Sequence, residues 1–257
     1  MNGYDETEGA LAASPTDGTA EPGAFGDGPD AAAPHDGSLP QAAETPAALA
    51  ARLVEYQRRR SMLFEWMHPL RLAGVPYGEH VRARGTHETA ALAEAFLETL
   101  GMPAPPLASF GAPGAALALL PAKECLTVFR LRALCDRVEE VRSWIDRPRR
   151  KLLSDWIGPH GVRLLLESRH AFSGHATPLI RHKPLGAADG DALAWLGFRL
   201  FEYECGWPPD NPLAIVQLAM PADAAGASPR ALQAAPRGHR SRSIVSQLPN
   251  LFPEWSW

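Results

Sequence analysis

Residues 121–148, PAKECLTVFRLRALCDRVEEVRSWIDRP, carry the pattern that decides the fold. Proline is favoured in the first turn of a helix, so Pro121 predicts a helix start, and the residue before Pro148 is pushed out of helical geometry, which predicts the end. Arg132 and Asp136 stand at i and i+4, which predicts an ion pair on the solvent-facing side. Apolar residues recur every three or four positions and predict one buried helix face: Leu131, Leu134, Val138, Val141 and Ile145.

The next stretch, residues 147–168, predicts two short helices that meet at a glycine–proline turn. Gly158 ends the first helix and Pro159 begins the second. The inward-facing positions predicted for the pair are Leu152, Leu153, Trp156, Ile157, Val162, Leu165 and Leu166. A basic run opens the stretch, and we expect it on the surface as a candidate partner interface: Arg147, Arg149, Arg150 and Lys151.

Helical patterns also cover the remaining parts of the body. We predict helices over residues 46–67, 86–101 and 189–204, the last one capped by Asp189 and apolar around so much of its girth that it is central to the core. Residues 211–220 fit a short helix or a short strand equally well. Three adjacent arginines, residues 58–60, point in three directions and predict a mostly solvated face. The fold class predicted is all-α, a single compact multi-helix domain.

Composition divides the chain into four parts. Residues 1–46 hold nine acidic groups and no Lys or Arg, and we expect a disordered acidic N-terminal segment. Residues 47–220 form the helical domain, residues 221–242 a linker rich in Ala, Pro and Arg, and residues 243–257 an aromatic C-terminal segment. The rest of the chain has 20 acidic and 25 basic groups, so this body is mildly basic. The acidic segment therefore either shields the basic body or simply solubilises the protein.

Composition also indicates the cellular compartment in which we expect the protein. Three cysteines at wide spacing argue against a disulfide framework and fit a reducing cytosol. We see no signal peptide and no apolar run of about 18 residues, so we expect neither secretion through a leader nor membrane insertion.

Catalytic and metal signatures are weak throughout. His170, His175 and His182 share one loop, but no HExxH pair or carboxylate accompanies them, so we predict loop histidines and no metal. Ser154 and Ser173 lack the context of a nucleophile, and the glycines of residues 108–120 lack the lysine of a phosphate loop. We therefore predict no catalytic residues, no cofactor, no small-molecule substrate and no enzyme activity.

One alternative of another class is a DNA-binding regulator of the helix-turn-helix type that uses residues 147–170. Its basic run could bind phosphates. The second helix, however, offers three successive leucines, residues 164–166, where a recognition helix needs polar side chains to contact base edges.

The end of the chain is a second candidate interface. Phe252, Trp255 and Trp257 follow the predicted linker, and large aromatic side chains dominate interface hot spots. Two interpretations stay open: the C-terminal segment docks on its own domain, or it anchors a partner.

Three stretches of the body resemble the SctK/YscK family of type III secretion proteins, including its Hrp-cluster relatives. Near the domain start, LFEWMHPLRLAGVPY places Phe64, His68, Pro69 and Pro76 in the family arrangement. The second stretch, residues 125–168, contains a predicted helix, the basic run and the helix pair that follows it. The third stretch is DALAWLGFRLFEYECGWP, residues 191–208. The resemblance covers most of residues 60–220.

This resemblance implies a function that the residue patterns alone do not give. It implies a cytoplasmic, non-enzymatic adaptor of the sorting platform, peripheral at the inner membrane through the secretion apparatus. Such an adaptor bridges an SctD-like ring protein to an SctQ-like pod protein, and so indirectly recruits the SctL/SctN ATPase complex. Effector export would depend on it.

Overall fold

A computed structural model of the chain describes residues 46–76, 81, 86–167, 184–185, 188–222 and 239–255. Over these residues the chain is mostly helical and contains no strand, which confirms the all-α prediction. The described helices all lie in one compact unit that begins at Glu44. The α-helices are α1 (Pro46–Ser61), α2 (Leu63–Trp66), α3 (Pro69–Ala73), α4 (Thr86–Thr99), α5 (Ala122–Cys135), α6 (Val138–Arg142), α7 (Arg147–Glu167), α8 (Gly190–Cys205), α9 (Arg240–Ser246) and α10 (Leu248–Leu251). Short 3-10 helices occupy Leu107–Gly111, Ala115–Leu119 and Ala214–Ala219.

Helices α5 and α8 form the centre of the core. A Cβ atom built on Gly197 of α8 would lie 1.7 Å from the carbonyl oxygen of Phe129 in α5, so glycine permits the close approach of the two backbones. Around this crossing, the ring of Phe129 packs edge-on against Phe198 and Phe201, with centroids 5.4 and 5.7 Å apart. Asp189 caps α8 by accepting a hydrogen bond from the backbone N–H of Asp191. The predicted central helix is thereby confirmed.

The helix predicted over residues 121–147 is instead two helices. Helix α5 ends at Cys135, and the backbone N–H of Arg137 donates to the carbonyl of Leu134 at 2.9 Å in a tight 3-10 turn. Helix α6 then ends at Arg142, before Ile145 is reached. The apolar stripe read from the sequence is therefore interrupted twice, and Ile145 is 83% exposed rather than buried.

The predicted turn at residues 158–159 is confirmed. Gly158 adopts φ 69° and ψ 169°, a conformation outside the helical region that is essentially restricted to glycine. Pro159 follows it at the start of the second half of α7, where Gly161 and Leu165 are buried. The two halves of α7 are thus the two short helices expected at this corner.

The first predicted helix also breaks, into α1 and α2, and two of its three adjacent arginines do not face solvent. Arg59 and Arg60 are buried. The guanidinium of Arg60, only 1% exposed, is bidentate on Glu94 of α4, with Nε 3.0 Å from Oε1 and Nη2 2.6 Å from Oε2. It also donates from Nη1 to the carbonyl of Pro103 at 3.2 Å. The prediction failed because Arg60 is the cation that joins α1 to α4.

The end of the chain is helical as well. Helix α9 begins at Arg240, earlier than position 243, at which we expected the C-terminal segment to begin. The residues that α9 and α10 bury in the core include Ile244, Leu248, Leu251 and Phe252. The ambiguous residues 211–220 contain a 3-10 helix, preceded by Asn211, whose side chain accepts from the N–H of Leu213 at 2.8 Å. All of the predicted acidic segment except Pro46, most of the predicted linker, the histidine loop and Trp257 lie outside the described residues.

Candidate partner-binding surface

The basic run predicted as an interface lies on the surface at the start of α7. We call residues 144–151, which include this run, the basic corner. Asp146 fixes the start of the helix, because its Oδ1 accepts a hydrogen bond from the backbone N–H of Arg149 at 3.0 Å. Its other oxygen, Oδ2, lies 3.4 Å from Nε of the same arginine. The backbone of the basic corner is therefore held in place by its own side chains.

The four cations of the basic corner divide into two groups. Arg147, Arg150 and Lys151 stand at i, i+3 and i+4 and share one exposed helix face. Arg149 turns away from them and places its guanidinium carbon 5.9 Å from the centre of the Trp144 ring, within cation–π range. Within the described ranges, the only ion pair recorded for these four cations is that of Arg149 with Asp146. Three like charges thus face solvent together.

Trp144 forms the floor of the basic corner. Its side chain is buried, and its ring lies 6.1 Å from that of Trp156 in α7. Its carbonyl accepts a hydrogen bond from Nε of Arg150 at 3.1 Å. Ile145, the next residue, is the most exposed large apolar side chain among those described. Sequence periodicity assigned Ile145 to the core, so its exposure was not predicted. The helix end predicted before Pro148 was the sequence feature that could have suggested this exposure.

The interior also holds a buried network of charges, two of which, Arg132 and Asp136, were predicted to face solvent. Arg132 of α5 donates to Glu204 of α8 from Nε at 3.0 Å and from Nη2 at 2.7 Å. Its Nη1 lies 3.1 Å from Oδ2 of Asp136. The predicted pair of Arg132 and Asp136 does form, but in the interior, because the C-terminal helix α9 packs over it.

Helix α9 contributes the other half of this network. Arg240 contacts Asp136, and Ser241 donates both its backbone N–H, at 2.8 Å, and its hydroxyl to Glu204. Burial by itself raises the pKa of Glu204, but hydrogen bonds from Arg132 and Ser241 outweigh it and hold that pKa below its usual value. Two cations and two carboxylates therefore balance one another and tie the end of the chain to α5 and α8.

The structure describes the aromatic C-terminal segment as far as residue 255. Phe252 is 7% exposed and belongs to the core of its own domain. Trp255 is partly buried and packs against the same core, while Trp257 lies outside the described residues. For Phe252 the structure corresponds to the self-docked arrangement, one of the two interpretations left open by the sequence.

The motif that supports the family resemblance has a positioning role. Nδ1 of His68 accepts a hydrogen bond from the N–H of Leu70 at 3.2 Å and so caps α3, while Nε2 lies 3.4 Å from Oδ2 of Asp191 in α8. The backbone N–H of His68 donates to the carbonyl of Leu218 at 2.9 Å. This histidine thus joins three separate parts of the fold.

Nothing in the described ranges forms a metal cluster of three or more His, Cys, Asp or Glu side chains. The three cysteines are free and buried, and burial raises the pKa of Cys125 to about 11 and that of Cys135 to about 12. These thiols stay protonated at neutral pH, so they are poor nucleophiles. None of the described helices is long and apolar enough to cross a bilayer.

The second half of α7 offers little to a DNA groove. Its exposed side chains are Pro159, His160, Arg163 and Glu167, whereas Gly161 and Leu165 are buried and the leucines beside Leu165 are partly buried. A recognition helix needs several polar side chains that reach base edges. This half of α7 is used mainly for packing.

The sequence of the helical body matches the model of a known protein family. The family model described as bacterial type III secretion protein (HrpB4) matches residues 43–254, which includes every described helix. No protein of curated function matches the chain, and no solved structure does.

Proposed function

Since this chain belongs to the HrpB4 family of bacterial type III secretion proteins, we propose that it is a non-enzymatic adaptor of the sorting platform. In this proposal it works on the cytoplasmic side of the inner membrane. It links an SctD-like protein of the inner-membrane ring to an SctQ-like pod protein. Through the pod it supports recruitment of the SctL/SctN ATPase complex and hence effector export.

The extent of the family match carries this proposal. It covers the chain from residue 43 to residue 254, so it applies to the whole helical body and not to one motif within it. The resemblance of residues 60–220 to SctK/YscK proteins, including Hrp-cluster relatives, agrees with that family and points to the adaptor role.

The architecture supports a binding role. An adaptor needs rigid surfaces on which a few well-placed side chains supply most of the affinity. The buried ion pairs between α5, α8 and α9 hold the body together across distant parts of the chain. On this body the basic corner combines exposed cations with the exposed Ile145. We assign Arg147, Arg149, Arg150 and Lys151 to one partner contact.

The C-terminal aromatic residues form the second proposed contact. Trp255 retains exposed area at the edge of the core, and Trp257 follows it two residues later in the sequence. Phe252 serves this contact indirectly, because its burial anchors the backbone three residues before Trp255.

A pull-down against both partners tests the adaptor role. The tagged full chain should retain an SctD-like and an SctQ-like protein from the same bacterium, and a strain that lacks the chain should stop exporting effectors. Re-expression of the chain in that strain should restore export. Intact export without the chain, together with no retention of either partner, would refute the proposal.

A further inference from the structure

The basic corner joins two kinds of recognition chemistry within eight residues. Arg147, Arg150 and Lys151 place three cations on one helix face, and none of them is paired with a carboxylate in the described residues. Ile145, 83% exposed, stands beside them as a branched apolar side chain in water. A ligand that satisfies both features must carry negative charge and an apolar group close together.

The basic corner is also preorganised. Trp144 is buried beneath it, Arg149 is held between the Trp144 ring and Asp146, and Arg150 is bonded to the Trp144 carbonyl. Arg149 and Arg150, which are already held, lose little conformational entropy on binding, so this surface is better suited to recognition than a flexible basic tract. The pairing of Arg149 with Asp146 shows that a carboxylate fits the corner chemically.

We infer that the basic corner binds an acidic amphipathic peptide segment of a secretion partner. Carboxylates of that segment bind Arg147, Arg150 and Lys151, and an apolar side chain covers Ile145. This inference rests on the proposed function, and it adds to it the chemistry of the partner segment.

A protein segment fits better than the other anionic candidates. Duplex DNA offers phosphates to the cations but nothing that requires Ile145, and a membrane surface needs a larger apolar area than one side chain. Guanidinium groups bind carboxylates through two parallel hydrogen bonds.

Two sets of labelled peptides test the inference on the full chain. The first set tiles the acidic stretches of the SctD-like and SctQ-like proteins. The second is a designed helical peptide with glutamates flanking leucines, and the same peptide with glutamine in place of glutamate. Fluorescence anisotropy gives the Kd of each, at about 50 and 300 mM salt.

Two variants and one matched control make the test specific. The variant R147E/R150E/K151E should weaken binding of the acidic peptides about tenfold or more, since it replaces attraction by repulsion. Ile145→Ser should weaken it severalfold with an unchanged salt dependence. The control R58E/K123E/R163E makes the same charge change at exposed positions elsewhere and should leave Kd within about twofold.

Each outcome decides between distinct conclusions. If the partners bind and R147E/R150E/K151E binds as the wild type does, the inference is overturned while the adaptor role stands. If neither partner binds but the designed acidic peptide binds at the basic corner, the adaptor role fails and the peptide chemistry stands. Binding only to anionic vesicles or duplex DNA, and to no acidic peptide, overturns the inference in favour of those surfaces.

Discussion

Arg132 and Glu204 form a bidentate ion pair in the interior of the domain, with side chains 1% and 4% exposed. They lie 72 residues apart in the chain and come from the two central helices, α5 and α8. The same carboxylate accepts two hydrogen bonds from Ser241 of α9. One buried pair thus connects the centre of the core to the end of the chain.

Removal of one partner of this pair should destabilise the protein strongly. Arg132→Leu leaves Glu204 buried without its guanidinium, and we expect the free energy of unfolding to fall by about 3–5 kcal/mol. Urea denaturation followed by circular dichroism measures it. Arg58→Leu is the matched control, because its pair with Glu55 is exposed and its loss should cost less than about 1 kcal/mol.

The double variant R132L/E204L separates pairing from packing. Two apolar side chains leave no uncompensated charge at this position, so the double variant should lose clearly less stability than the two single variants added together. Additive losses would mean that the two residues act independently, contrary to their geometry.

Stability should fall in acid through Glu204. Burial opposes the charged carboxylate, but the bonds from Arg132 and Ser241 hold its folded-state pKa below the usual value of about 4.3. Its contribution is therefore complete above the unfolded-state pKa and is lost as the pH falls through the folded-state pKa. Glu204→Gln should give a flatter profile of unfolding free energy below about pH 5. Parallel profiles for the variant and the wild type would argue against this carboxylate.

Local patterns predicted the helices, but not which of their polar faces are covered. The period of the apolar residues located α5, α8 and both halves of α7, and Gly158 located the turn. The same pattern placed Arg132 and Asp136 in solvent, because periodicity cannot reveal that another element packs on a polar side. Here that element is α9, whose Arg240 lies 104 residues from Asp136.

The candidate surface was predictable to a similar degree. A run of four cations within five residues is costly to bury, so the exposure of residues 147–151 follows from their composition. The exposure of Ile145 depends on the end of α6 at Arg142, a backbone event that the continuous apolar stripe concealed.

The C-terminal aromatic residues should matter for stability before they matter for binding. Phe252→Ala removes a side chain that is buried in the core, and we expect a loss of about 3 kcal/mol or more. In a domain of this size that corresponds to a melting temperature lower by about 6–12 °C, measured by scanning calorimetry. Glu254→Ala, at an exposed position two residues on, should change it by about 1 °C at most. Unchanged melting with lost partner binding would favour the partner-anchoring interpretation of the segment.

The turn in α7 should tolerate only glycine at residue 158. An added Cβ at Gly158 meets no atom within 4 Å, so space is no obstacle. The backbone at φ 69° and ψ 169° is, however, strained for any other residue. Gly158→Ala should therefore cost about 1–3 kcal/mol in urea denaturation. A neutral result would show that the turn relaxes into another conformation.

A larger residue at Gly197, where α5 and α8 cross, should destabilise the protein for a different reason, which is lack of space. The Cβ of Gly197→Ala would lie 1.7 Å from the carbonyl oxygen of Phe129, and this atom belongs to the backbone of a buried helix, so the two helices must separate. Overpacking usually costs about 1–3 kcal/mol, and we expect this case at or above the upper end. Gly111→Ala is the control, since a Cβ there meets nothing within 4 Å and its backbone lies outside the left-handed region. It should change the urea midpoint little. Equal midpoints for the two variants would contradict the close approach on which the whole core is built.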